Sequence, residues 1–269
     1  MHYPSGKTHL YAILAHPVAH VRASEFFGPI IEAEQRDAFV VPLHVLPKDL
    51  PEMLPMLQRI GNLKGAVITI PHKETMARLC DEMGPNGQLA GAVNTVRFEE
   101  GGRLVGDMFD GVGLVNAARA NGIEPKGAKV LMLGAGGAAR AIAIALADEG
   151  ALAITIANRT ESRAKDLAAV VQAVFEDVEV KAGPADATGH DLVVNCTSLG
   201  LEPGDPTPMD PATLRPDMRL FDIIAPRDTE LMDAARAAGL KTVIGGRPMV
   251  EHQVVAQLNF LGAPKIGST

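Results

Sequence analysis

The sequence has no tryptophan, two tyrosines and eight phenylalanines, so aromatics make up only 4% of its 269 residues. A surface for single-stranded nucleic acid needs flat side chains on which bases stack, and no such platform is evident. Positive charge is also scarce. Twenty-five lysines and arginines stand against 32 acidic residues, a net charge of −7. That balance argues against nucleic acid or an anionic membrane as the main partner, although a local basic pocket stays open. The two cysteines, Cys80 and Cys196, are far apart and in apolar surroundings. Neither a disulfide framework nor a zinc site can be built from them, and a reducing compartment is the natural reading. The eight histidines show no metal-ligand spacing and no Ser–His–Asp pattern can be assembled, so no metal is expected. No apolar run reaches membrane length and no charged-then-apolar leader follows Met1. A soluble, cytoplasmic protein without a membrane role is expected.

What is present is aliphatic: 47% of the chain is hydrophobic, enough for one large or two modest domains. The stretch that organises it runs from Val130 to Leu146. Val130-Leu-Met-Leu133 reads as a buried parallel strand, Gly134-Ala135-Gly136-Gly137 as a turn, and Ala138 to Ala147 as a helix. Strand, glycine turn and helix together form the setting in which a G-x-G-x-x-G/A pattern means dinucleotide binding. Gly134 allows the tight turn, Gly136 lets a pyrophosphate approach the backbone, and Ala139 replaces the third glycine with another small residue. The N–H groups and dipole of the helix start would face the phosphates. The same glycines would also serve simple close packing.

Around that stretch the chain alternates between strand and helix signals. Leu10–Leu14, Ala38–Val45 and Gly65–Ile70 read as strands, with Pro42 pointing to an edge or a strand end. Helices are expected over Glu25–Arg36, from a cap at Asp49 to about Ile60, and over Pro71–Met83. Gly91–Phe98 and Arg103–Gly106 look like a hairpin, so the first sheet should be mixed. A helix from Gly111 to about Ala120 bridges to the second half. There, strands at Ala153–Ala157, Val178–Val180, Asp191–Asn195, Leu220–Ile224 and Lys241–Ile244 join the first, with helices at Arg163–Val174 and Thr229–Ala238. This is a doubly wound sheet of about six strands. The last helix, Met249–Leu261, has no strand after it and should pack back on the first domain, and the Lys265–Thr269 tail should be disordered. The expected fold is therefore α/β, with a mixed-sheet substrate domain (residues 1–110, completed by 245–269) and a Rossmann-type domain (111–244).

The strand after the glycine turn ends in Ala157-Asn158-Arg159-Thr160. Binders of NAD usually place an acid there for the ribose 2′-hydroxyl. Here Asn158 takes its place, with Arg159 beside it and Arg163 four residues on. Guanidinium groups bind a 2′-phosphate as paired donors where a carboxylate would repel it, so NADP is expected. The same residues also read as a solvated basic turn.

Candidates for chemistry are fewer. Lys73 follows a central strand at the end where open α/β sheets bind ligands, though an exposed helix lysine is the ordinary alternative. Asp110 could equally cap the helix at Gly111, Asn94 could satisfy a strand end, and Gln253 could face solvent. Cys196 and His252 read as packing and surface.

The matching stretches Thr69-Ile-Pro-His-Lys73, Gly91-Ala-Val-Asn-Thr95, Gly106-Asp-Met-Phe-Asp-Gly111, Gly134-Ala-Gly-Gly-Ala-Ala139, Asn158-Arg-Thr160, Asp191-Leu-Val-Val-Asn-Cys-Thr-Ser-Leu-Gly200 and Met249-Val-Glu-His-Gln253 resemble the shikimate dehydrogenase family, in order and across nearly the whole chain. The resemblance implies that Lys73 and Asp110 form a catalytic pair. It implies that Thr69, Asn94 and Gln253 hold the hydroxyls or carboxylate of a cyclic hydroxy acid. It also puts Asn195, Thr197 and Leu199 near the cofactor and Gly245 near the nicotinamide. Ala135, Gly137 and Ala138 belong to the phosphate turn.

Three departures bear on substrate. The family's Ser-x-Ser pair, which binds the shikimate carboxylate, is Val21 and Ala23 here, with Ser24 one residue late. The family asparagine two residues before the strand threonine is Val67, and Asp222-Ile-Ile-Ala-Pro226 is a residue shorter than usual and lacks a tyrosine. Arg22 could replace the serines by pairing with a carboxylate. An altered specificity is therefore expected: shikimate used poorly, quinate, or another hydroxylated cyclic acid. The alternatives are a non-catalytic NADP-binding sensor or another two-domain Rossmann enzyme such as a methylenetetrahydrofolate dehydrogenase. A monomer or homodimer is expected.

Overall fold

The computed structural model of the chain describes residues 4–19, 21, 23–225 and 227–267. It divides into two units, Met1–Phe109 with Gln253–Thr269, and Asp110–His252.

The first unit is built on a six-stranded mixed sheet. Its elements are β1 (His9–Ala15), α1 (Ala23–Ala33), β2 (Ala38–His44), α2 (Leu50–Leu57), β3 (Leu63–Ile68), α3 (Lys73–Leu79), β4 (Glu82–Met83), α4 (Pro85–Ala90), β5 (Thr95–Phe98) and β6 (Leu104–Asp107). The strand order is β2-β1-β3-β5-β6-β4. β1 runs parallel to β2 and β3, and β3, β5 and β6 pair antiparallel. β1 is buried on both faces from Tyr11 to Ala15, as a central parallel strand should be. One face is covered by α2, whose buried Leu50, Leu54 and Leu57 recur at helical spacing and pack with Ala12, Leu14, Ile68 and Met76. Pro42 lies in β2, an edge strand, where its missing N–H costs no ladder bond.

The second unit contains α5 (Asp110–Ala120), β7 (Lys129–Leu133), α6 (Gly137–Asp148), β8 (Ala153–Ala157), α7 (Glu161–Val174), β9 (Glu179–Ala182), β10 (Leu192–Asn195), β11 (Arg219–Asp222), α8 (Glu230–Ala237) and β12 (Thr242–Ile244). All pairs are parallel, in the order β12-β11-β10-β7-β8-β9. That is the doubly wound arrangement. Its direction reverses between β7 and β10, so the crevice for a ligand lies beyond the C-terminal ends of those two strands. α5 packs on α6 closely. A Cβ on Gly111 would stand 2.5 Å from the Ala141 carbonyl oxygen and 2.7 Å from Ala145 Cβ. The last helix, α9 (Arg247–Phe260), begins in the second unit and ends in the first, where Tyr11 Oη donates to the Leu261 carbonyl.

Several expected boundaries move. The first helix stops at Ala33 rather than Arg36, because Gln35 turns left-handed (φ 52°) and Arg36 leaves to donate to the Ala263 carbonyl and Asn259 Oδ1. The same contact corrects the start of the expected disordered tail: Lys265 forms a bridge with Arg36 and the Ile266 N–H donates to Gln35, while Ser268 and Thr269 lie outside the described residues. Asp49 makes no side-chain cap, and α2 ends at Leu57. The third strand spans Leu63–Ile68, two residues earlier than expected at each end. The helix expected over Pro71–Met83 covers only Lys73–Leu79. Cys80 is extended, and Glu82–Met83 pairs with β6, a preference imposed by a neighbouring strand rather than by local propensity.

Candidate active site

In the first unit, β1 and β3 end side by side, and the loop after β3 carries two of the expected residues. Thr69 extends the sheet by one bond, its N–H to the Leu14 carbonyl, and accepts the His72 N–H on its own carbonyl. Lys73 opens α3, and its carbonyl accepts the Val93 N–H at 3.1 Å. The backbone of Lys73 is thereby tied to the residue preceding Asn94.

Asn94 is buried, and its orientation follows from one unambiguous donor. The Phe109 backbone N–H reaches Asn94 Oδ1 at 3.0 Å, so the other end of the amide is the NH2. That group donates to Gln253 Oε1 at 3.1 Å. The Gln253 NH2 is then the end of that side chain turned away from Asn94. Behind Asn94, Thr95 Oγ1 donates to the same Oδ1 and accepts from Gln257 Nε2 at 2.9 Å. Four side chains from a strand end and a helix thus share one fixed direction of donation. Thr95 and Gln257 were not singled out from the sequence. The signal for Gln257 was its spacing of four from Gln253, which puts both on one face of α9.

Asp110 stands in the second unit, 3% exposed, at the start of α5 and directly after Phe109. Arg22 lies outside the described residues. Val21 is half-buried.

The second unit presents the glycine turn as expected. Gly134 is left-handed (φ 107°), and a Cβ there would stand 3.0 Å from the Cys196 carbonyl carbon. Gly136 precedes α6 in extended conformation, and a Cβ on it would meet no protein atom within 4 Å. Room that the protein does not fill, at the start of a twelve-residue helix, fits a pyrophosphate. Ala139 is fully buried against the sheet, while Gly137 and Ala138 are half-buried and Ala135 is covered. At the end of β8, Asn158 donates to the Thr160 carbonyl, shaping a turn on which Arg159, Thr160 and Arg163 are exposed. These residues fit the 2′-phosphate of NADP.

At the end of β10, Asn195 is fully buried. Its Oδ1 accepts from the Thr197 N–H and hydroxyl, and its Nδ2 reaches the Leu199 carbonyl and Asp222. Gly245 follows β12, half-buried near Met232. Asp222 accepts the hydroxyl of Thr229 as well. Burial pushes the Asp222 carboxyl above its usual range, against the pull of Asn195, Thr229 and the Ile224 N–H. Burial also pushes the Cys80 thiol up to about 12. Among the described residues no cluster of three or more His, Cys, Asp or Glu could hold a metal, and no helix is long and apolar enough to cross a membrane.

Comparison with known proteins agrees on one family. Residues 13–96 match the model of the shikimate dehydrogenase substrate binding domain, and residues 116–243 match that of shikimate/quinate 5-dehydrogenase. A shikimate dehydrogenase (NADP(+)) of Acidiphilium cryptum is 40% identical over 93% of this chain and 89% of its own. A shikimate dehydrogenase solved in complex with NADP+ superposes with a TM-score of 0.88 at 28% identity, covering 98% of this chain and 93% of that one. A 5-ketofructose reductase of a Gluconobacter species superposes with a TM-score of 0.82 at 29% identity, covering 96% and 94%.

Proposed function

The chain belongs to the shikimate dehydrogenase family, and on that footing we propose that it interconverts shikimate and 3-dehydroshikimate with NADP, as a cytoplasmic monomer or homodimer. The observation that carries this reading is the Asn94–Gln253 amide pair, held in one direction by Phe109 and by the Gln257–Thr95 relay. A ligand with several neighbouring hydroxyls needs donors and acceptors whose direction is settled before it arrives, because reorienting them on binding would cost affinity. NADP, when bound, exchanges a hydride with the carbinol carbon. The chain's own part is to bind, orient and move a proton. Lys73 and Asp110 are assigned to the reacting hydroxyl, one transferring its proton and the other orienting it. Asn94, Gln253 and Thr69 are assigned to the ring hydroxyls, and Arg22 to the carboxylate. The glycine turn holds the pyrophosphate, and Arg159 with Arg163 selects the 2′-phosphate.

The test is direct. Lys73→Ala should lower kcat by at least ~100-fold, the usual scale for a general acid–base group. A loss confined to KM would make Lys73 a binding residue instead.

A second reading rests on Val21 and Ala23, which give a substrate carboxylate no hydroxyl. It makes the substrate quinate, another hydroxylated cyclic acid, or a ketose without a carboxylate, the kind of compound named for the Gluconobacter neighbour. Turnover on a panel of shikimate, quinate and 5-ketofructose separates the readings by their kcat/KM values. NADPH binding with no turnover on any compound would point to a sensor.

A further inference from the structure

The loop that follows β10 is organised from below by a carboxylate. Asp222 ends β11 and is fully buried. Its Oδ1 accepts the Ile224 N–H at 3.1 Å, while its Oδ2 accepts Asn195 Nδ2 at 3.1 Å and Thr229 Oγ1 at 2.7 Å. None of these bonds can be reversed. The Thr197 N–H donates to Asn195 Oδ1 at 3.0 Å, which fixes the Asn195 NH2 toward Asp222 and the Leu199 carbonyl. Thr229 Oγ1 accepts the Met232 N–H at the start of α8, so its own hydrogen goes to Asp222. Asp222 is the acceptor-only group on which three donors converge.

From Asn195 the chain of bonds continues upward. Its Oδ1 takes the Thr197 hydroxyl at 2.8 Å, and Thr197 Oγ1 takes the Leu199 N–H at 3.2 Å. Gly200 then rests on Thr229, since a Cβ there would stand 2.7 Å from Thr229 Cγ2. The loop is therefore tied to Asp222 at Thr197 and Leu199, through Asn195, while Gly200 is also held by Asp205, which accepts its N–H, and by Arg227, which donates to its carbonyl. It leaves β10 at the reversal point of the sheet, where a dinucleotide lies in this fold.

We infer that Asp222 is a positioning residue for the cofactor, shaping the Thr197–Leu199 surface against which the nicotinamide end rests. The inference rests on the NADP reading above. It requires an acceptor on both oxygens. An asparagine at this position has one acceptor and two hydrogens. Whichever way it turns, its NH2 meets a donor: Ile224 N–H on one side, or Asn195 NH2 and Thr229 OH on the other. The loop must shift to relieve that clash.

Asp222→Asn should weaken NADPH binding, read by fluorescence of the bound cofactor, by at least about tenfold, the factor that corresponds to losing one hydrogen bond to a charged group. The KM for the alcohol substrate should change by less than about twofold, since nothing in this network belongs to the first unit. Amide hydrogen exchange at Thr197 and Leu199 should quicken while β7 and α6 keep their protection. NADPH affinity within twofold of the parent overturns the inference. If the parent itself binds no NADPH, the NADP reading fails, and unchanged exchange in the loop overturns the positioning role separately. Should Asp222→Asn not fold, Thr229→Ser and Thr229→Ala replace it. Both lose the methyl, and only alanine loses the donor. Alanine should weaken NADPH binding and serine should not, and equal behaviour overturns the inference.

Discussion

Asn94 and Gln253 share a hydrogen bond of 3.1 Å across 159 positions of sequence, and the direction of that bond is dictated by a third residue, Phe109, through its backbone N–H. The consequence is an asymmetry between the two amides. Asn94→Ala strands a buried backbone donor and should cost about 1–3 kcal/mol of stability, as well as activity. Gln253→Ala leaves that donor satisfied and should act mainly on substrate KM. Denaturant melts set beside steady-state kinetics on both variants check this. Equal destabilisation would show that Phe109 is not the controlling donor.

Cofactor choice should be separable from turnover. Arg159→Asp places a carboxylate where a 2′-phosphate is expected and should lower kcat/KM with NADP by roughly 10–100-fold, the scale of losing a charged hydrogen bond. With NAD, kcat/KM should hold or rise. Matched initial-rate series with the two cofactors decide it, and parallel losses would remove Arg159 from the phosphate site.

Gly111 has a packing role that can be tested alone. With the Ala141 carbonyl 2.5 Å from any added Cβ, Gly111→Ala forces α5 and α6 apart and should destabilise by about 1–3 kcal/mol, the usual cost of overpacking. A chemical-denaturation midpoint within error of the parent would mean that the two helices slide freely.

Stability should also fall on acidification through a histidine. His72 is buried with Nε2 2.9 Å from the Val45 carbonyl, and burial, with His16 nearby, lowers its pKa below 6.5. The unfolded chain therefore takes up a proton first as pH falls below 6.5, and the stability fully present above that value is progressively lost. His9 is lowered too and acts in the same window. Thermal melts between about pH 7.5 and pH 5.5 should show a smaller loss for His72→Gln than for the parent. Equal losses would exclude His72 as the titrating group.

The second unit was legible because its central strands β7 and β10 are buried on both faces. Val130–Leu133 and Leu192–Asn195 stand out as apolar runs, and the glycines between them have few alternative uses. The segment from Pro71 to Ala90 was not, because β4 is two residues long and exists only through its pairing with β6. Arg36 misled for a related reason. A charged residue at a helix end reads as solvated, but its partners Asn259 and Ala263 lie more than 200 residues away. The site divides in the same manner. Asn94 and Gln253 could be singled out by motif. Asp222 could not, since a carboxylate at a strand end announces nothing until Asn195 and Thr229 are found converging on it.

The course of the chain through α9 also has a consequence for biosynthesis. Gln253, Gln257 and Leu261, which bond to Asn94, Thr95 and Tyr11, are made long after the strands of the first sheet. At ordinary elongation rates the interval between Phe109 and Leu261 is on the order of ten seconds. Throughout it Asn94, Thr95 and Tyr11 lack these partners. The later, all-parallel unit has its strands in one continuous stretch and can close before the earlier one does.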